Sequence, residues 1–575
     1  MEAKPSSPLI VQGDRTIFLE VSHPSFDEVR GRLAAFAELE KSPEHVHVYR
    51  ITPLSLWNAA SAGVSAETIL QFLDASSRYP VPQSLRKDIL EFMGRYGRLS
   101  LRTEDGRLEL FSEDLDALRE VVSLKHLLDS LEETAPRATG SGHAVRVKPG
   151  LRGQLKVALI KIGYPVDDVA GYRPGAPLEV SIAGALPDGR PFSLRPYQRD
   201  AVDAFHAGGG PRGGSGVVVL PCGAGKTIVG IGILEKVGSQ ALILTSNVTA
   251  LRQWKRELLE KTSLEEGVIG EYSGEEKEIR PITLTTYQML TYRRSRTGEL
   301  VHFEVFRARD WGLIIYDEVH LLPAPVFRLT AEIQATRRLG LTATLVREDG
   351  REDEVFSLIG PRKYDMPWRS LEADGWIASA ECIEVRVDMA PDLASAYATT
   401  DRRGKFRLAS ENPEKLEVVR ALAANHASDS VLIIGQYIDQ LKALRRELGA
   451  PLITGQTPQA ERDRLFASFR AGTIPVLIVS KVGNFAVDLP DANVAIQVSG
   501  TFGSRQEEAQ RLGRILRPKK EGAAAVFYSV VTRGSRDQEF AEKRQLFLAE
   551  QGYHYTIEDA SAPRYGPSFG RMRSA

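Results

Sequence analysis

The chain has 575 residues, 42% hydrophobic and 26% charged, a length and composition that predict roughly three to five globular domains. Its formal net charge is −1, so overall charge does not favour nucleic-acid binding, and any such site must be a local basic patch. Two distant cysteines exclude a disulfide framework or a cysteine-based zinc site. The N-terminus lacks the apolar core of a signal peptide, and no run is long enough to span a membrane, so we expect a cytoplasmic protein.

Residues 1–135 alternate short strand patterns with amphipathic helical patterns, which predicts a compact α+β domain. TIFLEV (16–21) and HVHVYRI (45–51) are typical of strands. RLSLRT and RLELFS, with the dipeptide DG between them, predict a β-hairpin. The turn-rich segment ETAPRATGSGH (133–143) predicts a linker.

A second small domain is expected at residues 140–189. It opens with AVRVKPGLRGQLKVALIKIGYPVDD, the most one-signed basic stretch of the N-terminal half. Before its first acidic residue, Asp167, this stretch carries Arg146, Lys148, Arg152, Lys156 and Lys161.

From residue 190 onward, apolar strand patterns such as GVVVL, ALILT and LIIYD alternate with longer helical patterns, and the rhythm returns at about 427–530. This alternation is typical of parallel, doubly wound sheets. We therefore expect an α/β fold with two tandem domains, at 190–375 and 376–550. Residues 551–575 are expected to form a tail, and the Gly, Pro, Ser and Arg content of its end, APRYGPSFGRMRSA (562–575), predicts disorder.

The segment GVVVLPCGAGKTIVGIGIL combines a strand, a glycine-rich turn and a helix. Gly223 and Gly225 let backbone amides converge on phosphate oxygens, and the helix that begins near Lys226 points its positive end at them. Lys226 would neutralise the β- and γ-phosphates, and the Thr227 hydroxyl would ligate Mg²⁺. Leucine replaces the first glycine of the usual pattern at position 220, so a tight turn with a solvated lysine is the alternative.

WGLIIYDEVHLL is a second apolar strand, and it delivers Asp317 and Glu318 to the carboxyl edge of the sheet. The Asp317 carboxylate would hold Mg²⁺, and Glu318 would position and deprotonate the attacking water. The alternative is a pair of exposed acids at a strand end.

Two further segments suit a nucleotide. In QRLGRILRPKK, the residues Gln510, Arg514 and Arg517 share one helix face, and the arginines would act as fingers on a γ-phosphate. An ordinary basic helix face is the alternative there. In SLRPYQRDAV, Arg195 and Gln198 precede the first α/β domain, and a glutamine amide can pair with N6 and N7 of adenine.

The glutamine, the GAGKT loop, the DEVH box, the TAT element and the QxxGRxxR segment occur in this order across two α/β domains. The set resembles superfamily 2 helicases and translocases over residues 190–540. The resemblance implies two RecA-like lobes with ATP in the cleft between them and nucleic acid across both. It adds Pro221, Cys222 and Ala224 to the ATP-binding residues. It also implies that hydrolysis is coupled to movement by His320, Thr342, Thr344 and Asp488.

More specific are Leu220 in LPCGAGKT, the DEVH box, REDG at 347–350 and the segment SKVGNFAVDLPDANVAIQVSG. Together they are similar to the XPB helicases, the subunit of the transcription and repair factor TFIIH and its archaeal and bacterial relatives. Residues 49–85 resemble the N-terminal domain of that family, and the basic stretch resembles its small damage-recognition domain. The resemblance thus covers nearly the whole chain.

The family implies an ATP- and Mg²⁺-dependent 3′→5′ DNA helicase that opens duplex DNA in repair. Arg347, Glu348 and Asp349 would act in DNA opening, although from charge alone a solvated loop is the alternative. The segment 389–413 implies only a short or rudimentary thumb. We expect a monomer near the nucleoid, with DNA as partner and a nuclease partner by family analogy only. A duplex translocase, or an ATP-switched DNA-binding scaffold without processive unwinding, is the other hypothesis.

Overall fold

The computed structural model describes residues 4, 6–43, 45–210, 212–221, 223–294, 301–334, 336–343, 352–376, 380–480, 492–500, 525–551 and 555–562. These residues form two compact units, the first mostly of residues up to 366 and the second mostly of residues from 367 onward. No helix in the described ranges combines the length and the apolar composition that a membrane-spanning segment needs.

In chain order the described strands are β1 (Leu9–Val11), β2 (Thr16–Glu20), β3 (Glu38–Lys41), β4 (Val46–Arg50), β5 (Leu99–Glu104), β6 (Arg107–Ser112), β7 (Arg137–Thr139), β8 (Gly142–Arg146), β9 (Val166–Asp168), β10 (Ser215–Val219), β11 (Ala241–Thr245), β12 (Ile269–Tyr272), β13 (Ile282–Thr286), β14 (Leu313–Asp317), β15 (Arg337–Thr342), β16 (Arg362–Asp365), β17 (Ala380–Val387), β18 (Val431–Gly435), β19 (Leu452–Ile453), β20 (Val476–Ser480), β21 (Val494–Gln497), β22 (Ala525–Thr532) and β23 (Tyr555–Asp559).

The described α-helices are α1 (Phe26–Leu33), α2 (Pro53–Ser61), α3 (Ala66–Ser76), α4 (Gln83–Arg95), α5 (Leu115–Ser123), α6 (Lys125–Leu128), α7 (Arg152–Lys161), α8 (Pro196–His206), α9 (Lys226–Val237), α10 (Val248–Lys261), α11 (Tyr287–Thr291), α12 (Ala324–Glu332), α13 (Glu352–Leu358), α14 (Trp368–Ala373), α15 (Pro391–Thr399), α16 (Arg402–Ser410), α17 (Glu414–Asn425), α18 (Ile438–Leu448), α19 (Gln459–Arg470) and α20 (Arg536–Gln551).

The N-terminal part contains a four-stranded sheet in the order β1-β2-β4-β3. Helix α2 begins where the sequence supplies a cap: the Thr52 hydroxyl accepts a hydrogen bond from the Ser55 amide, and Pro53 occupies the first turn. The predicted hairpin is confirmed, because β5 and β6 pair antiparallel around Asp105 and Gly106. Both turn residues have positive φ, 48° and 74°, as a two-residue hairpin turn of the primed type requires.

A five-stranded sheet, in the order β7-β8-β6-β5-β9, joins strands from both sides of the expected boundary near residue 135. The linker prediction for 133–143 is wrong, because β7 and β8 form an antiparallel hairpin there and β8 also pairs with β6. The turn-forming residues shape the tip of that hairpin, and the strands around it gain stability from sheet pairing that local composition does not show. One face of this sheet packs Leu101, Leu110 and Val145 against Leu155 of α7.

Two seven-stranded sheets dominate the rest of the chain. Their orders are β12-β13-β11-β14-β15-β10-β16 and β19-β20-β18-β21-β22-β17-β23. The described pairings within both sheets are parallel. When the strands of each sheet are numbered 1 to 7 along the chain, both orders become 3-4-2-5-6-1-7. The α/β fold with two tandem RecA-like parallel sheets is therefore confirmed.

Burial explains why these strands are apolar runs rather than alternating patterns. Every residue of β10, β11, β13 and β18 is buried, since helices cover both faces of each sheet. In the second sheet, Ile433 packs into one core while Leu432 and Ile434 pack into another, on the opposite face. The apolar runs in the sequence therefore correctly predicted the buried central strands of both sheets.

The second sheet also includes a strand that falls within the tail expected at 551–575. Residues Tyr555–Asp559 form β23, which pairs in parallel with β17 along Cys382–Arg386. A tail beginning at residue 551 is therefore wrong for this strand, because an edge strand of half-buried residues has too weak a local pattern to stand out. Within 389–413 the structure has two short helices, α15 and α16, and their role as a thumb stays a prediction.

Candidate nucleotide site at the carboxyl edge of the first sheet

Three neighbouring strands of the first sheet bring the predicted nucleotide residues to one edge. β14, β15 and β10 are adjacent and parallel, with Asp317 opposite Leu341 and Val219 opposite Thr342. Parallel strands end on the same side of a sheet, which is where ligands bind in α/β folds. The loops that follow these strands therefore begin side by side.

The glycine-rich loop leaves β10 and enters α9. Gly223 and Gly225 both have φ of +83°, a left-handed conformation that side chains disfavour. A Cβ on Gly225 would lie 2.6 Å from the side-chain amide nitrogen of Gln198, so a side chain there would displace Gln198. At position 220 the Leu220 amide donates to the Thr342 carbonyl at 2.9 Å and its side chain is fully buried. Residue 220 thus continues the strand pairing of β10, where leucine suits the core better than glycine.

Lys226 begins α9 and faces the acids at the end of β14. Its ammonium nitrogen lies 3.4 Å from Glu318 Oε1, and the two side chains are only 11% and 16% exposed. Thr227 follows on α9 and is partly buried, while Pro221 and Ala224 of the loop are buried. A lysine held by a largely buried glutamate differs from the solvated lysine of the alternative hypothesis.

Asp317 is a largely buried carboxylate with defined partners. Its Oδ2 accepts a hydrogen bond from the indole nitrogen of Trp254 at 2.9 Å, and its Oδ1 accepts from the Glu318 amide at 3.1 Å. Burial and then the negative charge of Glu318 raise the pKa of Asp317 to about 6, against the effects of Trp254 and Lys226. A bound cation would relieve this crowding of negative charge.

Glu318 occupies an unusual backbone conformation, with φ of +52°, which is costly for a residue other than glycine. Burial raises the pKa of its carboxyl group, but the charges of Lys226 and then His320 outweigh burial and leave the pKa below its ordinary value. Glu318 is therefore ionised at neutral pH and able to accept a proton. Backbone strain of this kind is characteristic of functional positions.

His320 connects the acids to the end of β15. Its Nδ1 is hydrogen bonded to Thr342 Oγ1 at 2.8 Å and lies 3.5 Å from Glu318 Oε2. His320 and Thr342 are both buried. The arrangement gives the proposed coupling a direct path of two contacts from Glu318 to Thr342.

Gln198 lies against the glycine-rich loop, on α8. Its side-chain oxygen accepts a hydrogen bond from the Arg195 amide at 3.0 Å, so it caps its own helix. The Arg195 guanidinium in turn donates to the Tyr197 hydroxyl at 3.2 Å. The proximity to Gly225 supports a place at the nucleotide, and pairing with adenine stays a prediction.

The sequence did not single out two residues that hold Asp317. Trp254 of α10 supplies the indole N–H, and the Tyr287 hydroxyl donates to the Asp317 carbonyl at 2.8 Å. A Cβ added at Gly230 of α9 would lie 2.5 Å from the Trp254 ring, so the ring is wedged between α9 and the acid. A tryptophan on the apolar face of an amphipathic helix is a normal core residue, and nothing in the sequence marks its nitrogen as a donor to Asp317.

Other predicted residues lie outside the described part of the chain. They are Cys222, Thr344, Arg347, Glu348, Asp349, Asp488, Gln510, Arg514 and Arg517. Their roles stay predictions.

The basic stretch after residue 144 does not form a uniformly exposed surface. Arg152 and Lys156 are buried, and both bind the carboxylate of Asp168, which lies just beyond the stretch. These two residues therefore do not contribute to a solvent-facing basic patch. The sequence could not show this pairing, since it depends on the fold of α7 against β9.

Two parallel sheets of identical strand order, with a glycine-rich loop, a lysine and a largely buried acid pair on the first, define a protein with two RecA-like domains and a candidate nucleotide site. Three family models match: an ERCC3/RAD25/XPB C-terminal helicase at 371–564, a type III restriction enzyme res subunit at 191–347, and a helicase conserved C-terminal domain at 9–134. The last match lies in the N-terminal part of this chain despite its description.

Curated relatives agree over nearly the full length. The chain is 55% identical to the DNA 3'-5' helicase XPB of Mycobacterium tuberculosis over 96% of this chain and 98% of that protein. It is also 55% identical to the DNA 3'-5' helicase XPB of Kineococcus radiotolerans, with 96% of each chain covered. The general transcription and DNA repair factor IIH helicase/translocase subunit XPB of Antonospora locustae is 34% identical, over 95% of this chain and 81% of that protein. The chain belongs to the XPB family of superfamily 2 helicases.

Proposed function

We propose that the chain is an ATP-dependent DNA helicase that moves 3′→5′ and opens duplex DNA. The observation that carries the proposal is the contact between Lys226 and Glu318 beside buried Asp317, at the carboxyl edge of a RecA-like sheet. It occurs in a chain that is 55% identical to relatives named DNA 3'-5' helicase XPB. ATP use follows from family membership.

The chain's own residues suit a nucleotide with Mg²⁺. Gly223 and Gly225 open the loop for phosphate oxygens, and Lys226 supplies a positive charge. Thr227 and Asp317 would offer the oxygen ligands that Mg²⁺ prefers, and the buried, crowded carboxylate of Asp317 fits a cation. When bound, the cation would neutralise negative charge on the phosphates.

Glu318 would orient the attacking water and accept its proton, because its carboxylate is held ionised by Lys226 and His320. His320 would then transmit a change at Glu318 to Thr342, its hydrogen-bonding partner at the end of β15. Thr342 immediately precedes the segment that contains Thr344, Arg347, Glu348 and Asp349. This continuity supports coupling between hydrolysis and DNA opening.

The finer roles rest on the family resemblance. Arg514 and Arg517 would act as fingers beside Gln510, Asp488 would link the DNA grip to the nucleotide, and Arg347 would engage the fork. A role in DNA repair is supported by the name of the Antonospora locustae relative. A monomer near the nucleoid and a nuclease partner also belong to the proposal.

The test is strand displacement on partial duplexes with either a 3′ or a 5′ single-stranded tail. We expect ATP-dependent displacement from the 3′-tailed duplex only, and none from either duplex with Lys226→Ala, which removes the phosphate-binding charge. Unwinding that survives Lys226→Ala while ATP hydrolysis is lost would refute the motor. Movement along DNA without strand displacement would instead identify a translocase.

The DNA-opening residues have a separate test. With Arg347→Ala we expect ATP hydrolysis to continue and strand displacement to fall about tenfold, since a contact at the fork is lost. Arg307→Ala is the matched control, because Arg307 is an exposed arginine of the same unit that pairs with Glu332. If the two variants unwind equally well, Arg347 has no role in opening.

A further inference from the structure

Helix α7 packs closely against two helices of the first RecA-like domain. It contacts α12 and α13, the helices on either side of β15 in the chain. A Cβ on Gly153 would lie 2.4 Å from the Ala331 carbonyl oxygen, so glycine is needed for this approach. The five-stranded sheet with α7, here called the N-terminal module, is therefore packed directly on the helices before and after β15, here called the coupling strand because it ends at Thr342.

A buried carboxylate organises this contact. Asp168 accepts two hydrogen bonds from Arg152, at 3.1 and 2.6 Å, and a third from Lys156 at 2.9 Å. Lys156 also donates to the side-chain oxygen of Gln334, at 3.1 Å, in the turn between α12 and β15. Lys156 thus holds the N-terminal module and the first sheet at once.

From Gln334 the contacts reach the strands of the sheet. The Gln334 amide nitrogen donates to the Leu358 carbonyl at 3.0 Å, and Arg338 donates to the same carbonyl at 2.7 Å. Arg338 also donates to the Ser215 hydroxyl at 2.9 Å, and its side chain is fully buried. Ser215 is the first residue of β10, and Arg338 is the second residue of β15.

The position of these contacts matters for the site. They hold the amino ends of β10 and β15. The carboxyl end of β10 leads to the phosphate loop, and the carboxyl end of β15 carries Thr342. Two buried cations, Arg152 and Lys156, bind the Asp168 carboxylate, and a third, Arg338, stacks on the Tyr172 ring that also contacts Arg152. Burying surplus charge is an expensive way to stabilise an interface, and apolar packing is the usual one. That cost points to a role in positioning.

We propose that one cluster of buried polar side chains, here called the anchor, joins the N-terminal module rigidly to the coupling strand. The anchor consists of Arg152, Lys156, Asp168, Gln334 and Arg338. Movement of β15 during hydrolysis is then transmitted to the N-terminal module instead of being lost at a flexible connection. Lys156 is a positioning residue in this scheme. The inference rests on the proposed function and names a further determinant of its efficiency.

The test uses the full chain with Lys156→Met, Gln334→Leu and the double variant. Glu109→Gln is the matched control, because Glu109 is a buried carboxylate of the same five-stranded sheet that pairs with Arg137 of that sheet. Three quantities are measured: ATP hydrolysed per base pair opened, the KM for ATP, and hydrogen exchange of β15 and α13. Hydrogen exchange needs neither ATP nor DNA.

For Lys156→Met we expect about tenfold more ATP hydrolysed per base pair opened, because the contact between α7 and Gln334 is lost. The KM for ATP should change less than about twofold, because the nucleotide contacts are kept. Exchange in β15 and α13 should rise by about 100-fold. Gln334→Leu should raise the ATP ratio and the exchange rates to a similar extent. The double variant should exceed either single variant only slightly, because both substitutions remove the same hydrogen bond. Glu109→Gln should loosen β5 and β6 and leave the ATP ratio unchanged.

Equal ATP ratios for Lys156→Met and wild type would overturn the proposal, as would an equal rise for Glu109→Gln. If Lys156→Met does not fold, Gln334→Leu, which removes no charge, decides by the same criteria. If the wild-type chain opens no duplex, the proposed function fails, and the exchange data still decide whether the anchor holds β15.

Discussion

The two seven-stranded sheets have the same strand order and different chemistry at the same edge. In the first sheet, the strand in chain position 1 is β10, and it leads into Gly223, Gly225 and Lys226. In the second, the equivalent strand is β17, and it leads into Asp388 and then α15, without glycine or lysine before that helix. After strand 5, the first sheet presents Asp317 and Glu318, whereas β21 is followed by Val498-Ser499-Gly500.

The buried charges differ in the same way. Lys226 of the first sheet faces two carboxylates whose surroundings suit a ligand, while Lys415 of the second binds Asp537 at 2.6 Å and the Val498 carbonyl at 2.9 Å. Both partners of that second pair are only 1% exposed. In the described residues, the same strand order thus supports a candidate ligand site after one set of strands and a stabilising ion pair after another, according to the residues that follow the strands.

The largest expected effect tests Glu318, which follows the fifth strand of the first sheet. Glu318→Gln should lower ATP hydrolysis by about 10³-fold, since the amide cannot accept the proton of the attacking water, while nucleotide binding is kept. Single-turnover hydrolysis and binding of a fluorescent nucleotide measure the two quantities. Asp388→Asn, at the matching edge of the second sheet, should hydrolyse ATP normally, and a comparable loss in that variant would erase the distinction between the sheets.

The structural pair of the second sheet gives the next effect. Lys415→Met leaves Asp537 buried without its cation, which should cost about 3–5 kcal/mol of stability. Hydrogen exchange should speed up in β22 and α20 and not in β10 or β14. Lys442→Met, at an exposed position on α18, is the control and should change neither region. Unchanged exchange in β22 would show that the pair contributes no stability.

Trp254 sharpens the contrast within the first sheet. Trp254→Phe keeps a ring beside Gly230 and removes the N–H that holds Asp317, so the Mg²⁺ concentration needed for nucleotide binding should rise about tenfold. Titration of Mg²⁺ against a bound fluorescent nucleotide measures it. Trp311→Phe, whose indole donates to the Val305 carbonyl instead, is the control. An identical Mg²⁺ requirement in the two variants would show that the Trp254 N–H does not affect Mg²⁺ binding.

The smallest expected effect concerns the affinity of α16, in the second unit, for duplex DNA. Arg402 and Arg403 are exposed at the start of α16, in the segment expected to act as a short thumb. Their double alanine variant should bind duplex DNA a few-fold more weakly, and the slope of affinity against salt should fall by about two, as for two lost phosphate contacts. Lys442→Ala with Arg446→Ala on α18 is the control. An unchanged slope would mean that α16 does not touch DNA.

Local patterns were sufficient for much of the fold. The buried strands of both large sheets, the β5–β6 hairpin with its DG turn and the start of α9 at Lys226 were predicted, because each depends on residues within one short segment. The linker at 133–143 and the tail from 551 were wrong where β7, β8 and β23 form, since those strands exist only through pairing with distant strands.

For the site, the sequence by itself determined the residue types of the loops: the glycines, Lys226, and the acids after β14. The tertiary structure alone decided what surrounds them. Trp254 reaches Asp317 across 63 positions, and Lys156 reaches Gln334 across 178. Such partners leave no local signal, because a buried charge and a solvated one look alike in a sequence. Only the fold decides which charge is buried, because it excludes water from some side chains and leaves others at the surface.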